Sequence, residues 1–224
     1  MPSSSGPSGL TRAYLFAYNA LNLVLWGSCL VYTASLVPTH LLTHALPAIF
    51  NYTYSPLLLA TQSLAILEVL HSLVRLVRAP IMTTAMQVAS RLLVVWGILA
   101  PFGGAIVGAD KPQPGDYAYL GCVAAWGVTE VIRYGFFAIT LSGNAVPAWW
   151  TWLRYNTFYV LYPIGISSEC TLIYLSLGPA VGVHPLYRLF LIAVLVIYVP
   201  GSYILYTHMI SQRRKVIRGK KRAD

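Results

Sequence analysis

Six stretches of this chain are apolar for about the ~20 residues that a helix needs to cross a hydrocarbon core. They run over 13–37, 52–76, 82–103, 117–141, 150–177 and 185–209. Backbone in hydrocarbon must satisfy its own N–H and C=O groups, and a helix does so within a single segment. The pattern therefore predicts an all-α, polytopic membrane bundle of six transmembrane helices. Composition agrees. The 224 residues are 57% hydrophobic and only 9% charged, whereas a soluble domain carries about 25% charged residues. That is too little polar surface for a water-facing globule.

The charge that exists is unevenly placed. The net charge is +9. Arg213, Arg214, Lys215, Arg218, Lys220, Lys221 and Arg222 crowd the C-terminal end. A basic tail after an apolar span reads as an anchor on anionic lipid. It is a weaker sign of nucleic-acid binding, since no folded domain accompanies it. Six spans put both termini on one side, with Arg12, Arg75, Arg78 and the tail; the other side receives Lys111 and Arg188. Positive charge marks the cytosolic side, so both ends are expected there. The expected organisation is a disordered Ser/Pro/Gly-rich tail (1–12), one membrane domain (13–210) and a basic cytosolic tail (211–224). No basic segment precedes the first apolar run, which argues against a cleaved signal peptide. Cys29, Cys122 and Cys170 are scattered through apolar segments, which reads as free thiols and not as a disulfide or zinc framework.

Ionisable groups at membrane depth are costly and are functional candidates by default. Here they are Glu68, His71, Arg91, Glu130, Arg133, Arg154 and Glu169. Glu68 and His71 are three apart, as are Glu130 and Arg133, while Tyr134 follows Glu130 by four. Such pairs share a helix face and suit either internal ion pairing or chemistry. Two ligands are too few for a metal site. In the fifth segment Tyr155, Tyr159, Tyr162 and Glu169 recur at steps of four, three and seven, which keeps them on one face. Tyr162 and Glu169 are separated by ~10.5 Å along an ideal helix axis. Pro163 and Gly165 lie between them and could allow a kink or local unwinding. An acid and a base facing one cavity suit addition or elimination of water beside a carbonyl. A Tyr–Glu hydrogen bond pinning a kinked helix fits the spacing equally well.

Several motifs occur in an order that resembles a known family. They are "YLFAYN" with Trp26, "LEVLH" (67–71), "TAMQVASR" (84–91), "WGVTEVIRYGFF" (126–137) and "WLRYNTFYVLYPIGISSE" (152–169). The chain resembles the very-long-chain (3R)-3-hydroxyacyl-CoA dehydratases, also called protein tyrosine phosphatase-like membrane proteins. The resemblance covers most of the chain. It implies Tyr162 and Glu169 as the catalytic pair. Arg91, Arg133, Arg154, Tyr155, Tyr134, Glu68 and His71 are candidates for substrate binding or oxyanion support. It also implies the third step of the fatty-acid elongation cycle, in the endoplasmic reticulum membrane, where water leaves a 3-hydroxyacyl-CoA to give the trans-2-enoyl-CoA. The implied partners are an acyl-CoA substrate, membrane lipid and the condensing, ketoacyl-reducing and enoyl-reducing enzymes of elongation. No metal or redox cofactor is needed, because water elimination transfers no net electrons.

The stretch from His71 to Arg78 resembles a phosphatase HCx5R loop with Ser72 in place of the nucleophilic cysteine. Without a thiolate, cysteinyl-phosphate chemistry is excluded. The family's usual glycine is Arg75 here. Two rival classes remain: a small transporter or channel, since buried charges and a broken helix also mark ion pathways, and a catalytically silent elongase scaffold.

Overall fold

A computed structural model describes residues 9–77 and 79–220, with the side chains of 218–220 left out. Among the described residues seven helices follow in order: α1 (Gly9–Leu42), α2 (Pro47–Leu73), α3 (Ile81–Ile106), α4 (Pro114–Ser142), α5 (Ala148–Asn156), α6 (Phe158–Val183) and α7 (Pro185–Lys220). All but α5 are long and apolar enough to cross a membrane. The six expected spans are present. α1 starts at Gly9, inside the stretch expected to be disordered, and α7 carries the helix through most of the expected basic tail. The remainder of both tails lies outside the described residues.

The fifth apolar segment is two helices, not one. Thr157 separates α5 from α6 and its hydroxyl bonds the Leu153 carbonyl at 2.9 Å. The physical reason is charge and shape. Arg154 resists hydrocarbon, and α5 packs on α4. There the Trp150 indole lies where a Cβ on Gly135 would stand, and its Nε1 donates to the Ile132 carbonyl at 2.9 Å.

Helix α4 is the centre of the bundle. It packs against α1 on one side and α6 on the other, and α7 packs chiefly on α6. Its start is built by Pro114 in the first turn and by Asp116, which accepts the Gln113 N–H at 2.9 Å and the Gly108 N–H at 2.8 Å. Its end is closed by Gly143 in the left-handed region (φ +89) and by Arg12 Nε, which donates to the Leu141 carbonyl at 2.6 Å. The α4–α6 contact uses small residues. A Cβ on Gly121 would collide with the Ser168 hydroxyl, and Cys122, Ala125, Ser168 and Ser176 are buried nearby. Without a hydrophobic force between helices in lipid, such close backbone approach is what holds them.

Prolines leave marks on two helices, and in α3 a tertiary contact meets the freed carbonyl. Pro101 has no N–H for the Gly97 carbonyl four residues earlier, and α3 becomes π-helical over Leu93–Leu99. The Tyr187 hydroxyl of α7 donates to that carbonyl at 2.5 Å. In α2 the segment Tyr54–Leu59, which contains Pro56, is also π-helical, and the Tyr54 hydroxyl donates to the Val95 carbonyl at 2.8 Å.

Candidate active site

A cavity of about 640 Å³ runs between the helices. At one end it is lined by Val77 and Ala79 of the α2–α3 connection, Leu141 at the end of α4, Arg154 on α5 and Gln212 on α7. These positions share the face that holds the first residues of α1. At the other end are Trp26, Gln62, Arg91 and Thr129. From Leu141 to Thr129 is twelve residues, or ~18 Å of helix. The mouth therefore opens at the basic face and the cavity reaches well into the span.

A chain of charges crosses the wall. Glu130, 4% exposed, receives Arg91 Nη1 and, at 2.7 Å, Arg133 Nε. Arg133 also reaches Glu68 at 2.5 Å, and Tyr134 donates its hydroxyl to the same Glu68 oxygen. Two carboxylates and two guanidiniums from α2, α3 and α4 thus neutralise one another. The expected Glu130–Arg133 pair is formed. Tyr134, however, serves Glu68 and not Glu130, both of whose oxygens are held by guanidiniums. His71 pairs with Tyr14 of α1 (2.8 Å) and packs edge-on against Tyr18, not with Glu68. Arg91 lies over the Trp126 ring at 5.4 Å.

Glu169 sits behind this layer and is 5% exposed. Its oxygens accept Trp126 Nε1 at 2.9 Å and the Tyr198 hydroxyl at 2.8 Å. Arg91, Trp126 and Glu169 make a path of one indole from cavity to carboxylate. Tyr162 is half-buried. Its hydroxyl donates to the Ser202 carbonyl at 3.1 Å, and its ring stacks on Tyr206. The shared-face expectation holds for these two: each faces α7, at partners spaced four to eight residues apart along it. Neither lines the cavity. Phe158 and Met209, which do, stand one turn closer to the mouth than Tyr162 and Tyr206.

The structure corrects the expected unwinding. α6 is continuous through Pro163 and Gly165. Pro163 is exposed, so its missing bond falls on the outer side. Gly165 is buried, where a Cβ would meet Ala125 at an ordinary 3.6 Å. Tyr162 and Glu169 therefore stand on one uninterrupted helix and have separate hydrogen-bond partners. Tyr155 leaves their line, since it stands on α5. It lines the cavity mouth beside Arg154. Arg154 lies over the Phe136 and Phe137 rings at 4.4 and 4.5 Å, and its Nη1 is buried without a hydrogen-bond partner. Burial, the largest influence, pulls this guanidinium below its ordinary pKa. Trp126 and Tyr198, which hold Glu169, were not legible as site residues. Only the packing of α4 and α7 against α6 identifies them.

His71 and Ser72 lie in regular helix, which is not a phosphate-cradling loop. Arg78 lies outside the described residues. Arg75 closes α2 in the left-handed region (φ +57), with Leu76 N–H donating back to the His71 carbonyl at 2.8 Å.

No solved structure matches this chain. Named proteins do. It is 43% identical over 203 residues to a probable very-long-chain (3R)-3-hydroxyacyl-CoA dehydratase of Schizosaccharomyces pombe, covering 91% of this chain and 92% of that one. It is 38% identical over 231 residues to the dehydratase PASTICCINO 2A of Oryza sativa subsp. japonica, covering 96% and 98%. The human very-long-chain (3R)-3-hydroxyacyl-CoA dehydratase 2 is 34% identical over 222 residues, covering 93% and 82%. The family model for protein tyrosine phosphatase-like protein, PTPLA, matches residues 62–219, from within α2 to within α7. This six-span bundle, with its buried charge layer and the Trp126–Glu169–Tyr198 cluster behind it, belongs to the PTPLA family.

Proposed function

We propose that this protein is a hydro-lyase that removes water from long and very-long-chain (3R)-3-hydroxyacyl-CoA to give the trans-2-enoyl-CoA. The observation that carries this reading is near end-to-end similarity to relatives named as that dehydratase. The transporter alternative is not favoured. The reaction breaks C2–H and C3–O, forms C2=C3 and releases water, with no net electron transfer. Glu169 takes the C2 proton and Tyr162 protonates the departing hydroxyl; the reverse assignment of acid and base fits nearly as well. Donors around the thioester oxygen lower the barrier where charge gathers, and Arg91, Arg133 and Arg154 are candidate donors in the cavity wall. CoA, a polyanion, stays at the mouth, where Arg154 carries an unpartnered nitrogen.

Purified protein in lipid nanodiscs, given a long-chain 3-hydroxyacyl-CoA, tests the assignment. Tyr162→Phe and Glu169→Gln each abolish dehydration while the unfolding temperature stays near that of the parent. Full activity in either variant ends the assignment.

A second reading rests on one observation. Tyr134 and Glu68 are a Tyr–Glu pair in direct contact, and both line the cavity. If they are the acid and base, Tyr134→Phe is inactive and Glu169→Gln retains turnover.

The same proposal places the protein in the endoplasmic reticulum membrane with both termini cytosolic, beside the condensing enzyme and the two reductases of elongation. The support is the positive bias of the face holding Arg12, Arg75, Arg154 and Arg213. Impermeant thiol labelling of single cysteines placed near position 146 and near position 110 checks the orientation. Labelling of the former only from the cytosolic side is the expected result.

A further inference from the structure

Gln62 is 1% exposed and lines the inner end of the cavity. Both its amide nitrogen and its amide oxygen lack a hydrogen-bond partner. The charge layer does not serve it: Glu130 is taken up by Arg91 and Arg133, while Arg133 and Tyr134 share one oxygen of Glu68. Its neighbour Ser63 is occupied instead by Trp96 Nε1 at 3.0 Å. A buried polar group without a partner is destabilising in water-poor surroundings and calls for a reason. Here a donor and an acceptor on one carbon belong to a side chain at the end of the cavity that Trp26 and Arg91 also line.

We propose that Gln62 orients the reacting end of the substrate, an inference that rests on the dehydratase reading above. A 3-hydroxyacyl thioester carries an acceptor, the thioester oxygen, and a donor, the 3-hydroxyl, on carbons two apart. The amide nitrogen of Gln62 donates to the thioester oxygen, and the amide oxygen accepts from the 3-hydroxyl. Gln62 exchanges no proton. It holds C1 to C3 at the depth of Arg91, which leads through Trp126 to Glu169. Once water has left, the enoyl product retains the thioester oxygen but has no hydroxyl to give. The product is therefore held by one bond fewer than the substrate, which favours its release. An amide that merely stabilised the bundle would not discriminate between the two.

Full-length Gln62→Leu and Gln62→Met test this in nanodiscs beside the parent. Three quantities are measured: KM for a 3-hydroxyacyl-CoA, Ki for the matching trans-2-enoyl-CoA as competitive product, and the unfolding temperature. The expected result is an unfolding temperature equal to or above the parent's, with KM raised about tenfold or more and Ki raised less. Equal changes in KM and Ki, or no change in either, overturn the proposal. Loss of fold in both variants also overturns it, because the amide would then have a protein partner. A parent protein that leaves every 3-hydroxyacyl-CoA unchanged sinks the dehydratase reading itself, and is distinguished by being seen before any substitution.

Discussion

Glu130 is the residue on which the membrane interior depends most. Both its oxygens are taken by guanidiniums, and its side chain is 5% exposed against 23% for Arg91 and 29% for Arg133. Removing one member of a buried ion network leaves the others uncompensated, at roughly 3–5 kcal/mol. Glu130→Ala should lower stability by about that amount, read as denaturant unfolding in micelles. Replacing Glu130 and Arg91 together by methionine should cost less than Glu130→Ala, because it removes an anion and a cation together and leaves the Arg133–Glu68 pair in place. Spacing of three on one helix made the Glu130–Arg133 pair legible. Arg91 and Glu68 come from other helices, and no sequence period links them to it. The same limit hid Trp126 and Tyr198 as donors to Glu169. Trp126→Phe removes one of those two bonds, and dehydration should fall by about tenfold or more with little change in KM.

At the scale of elements, irregular residues sit where a neighbour or a cap accommodates them. Tyr187 answers the carbonyl that Pro101 frees in α3. Tyr187→Phe should cost about 1 kcal/mol or somewhat more, the penalty of an unsatisfied buried carbonyl. Arg75 stands in the left-handed region at the end of α2, where a side chain costs about 1–2 kcal/mol. Arg75→Gly should therefore raise the unfolding temperature. The resemblance places a glycine at this position, and the backbone angle supplies the reason for one. Gly121→Ala should loosen α4 from α6 through its clash with Ser168, whereas Gly165→Ala should leave the fold intact. Both glycines look alike in the sequence. Only the distance to the facing helix separates a glycine that is required from one that is not.

Across the whole molecule, burial falls from the central α4 to the peripheral α7. Leu191 is the one buried hydrophobic residue of α7 among those described. Even so, α7 supplies Tyr198 to Glu169 and Ser202 to Tyr162, so an outlying helix completes the candidate site. The cavity opens where positive charge gathers. Surface attraction of this kind weakens with salt, as the screening length shortens to ~8 Å at physiological ionic strength. Arg154→Gln should raise KM for acyl-CoA with kcat nearly unchanged, and the difference from the parent should shrink in high salt. A salt-independent KM difference would count against a role in holding phosphate.

The amino-acid sequence by itself determined the class of solvent, the number of spans and the bias of charge to one face. Those follow from segment length and composition, which act locally. It also placed Tyr162 and Glu169 on one helical face, because the helix period is a local property. Only the tertiary structure decided that α6 stays continuous through Pro163, that the fifth apolar segment divides at Thr157, and that the cavity is lined by the Glu68–Arg133–Glu130–Arg91 layer and not by Glu169. Those outcomes depend on how closely α4 meets α1 and α6 and on which side chain meets each free polar atom. Such distances arise between helices far apart in the chain.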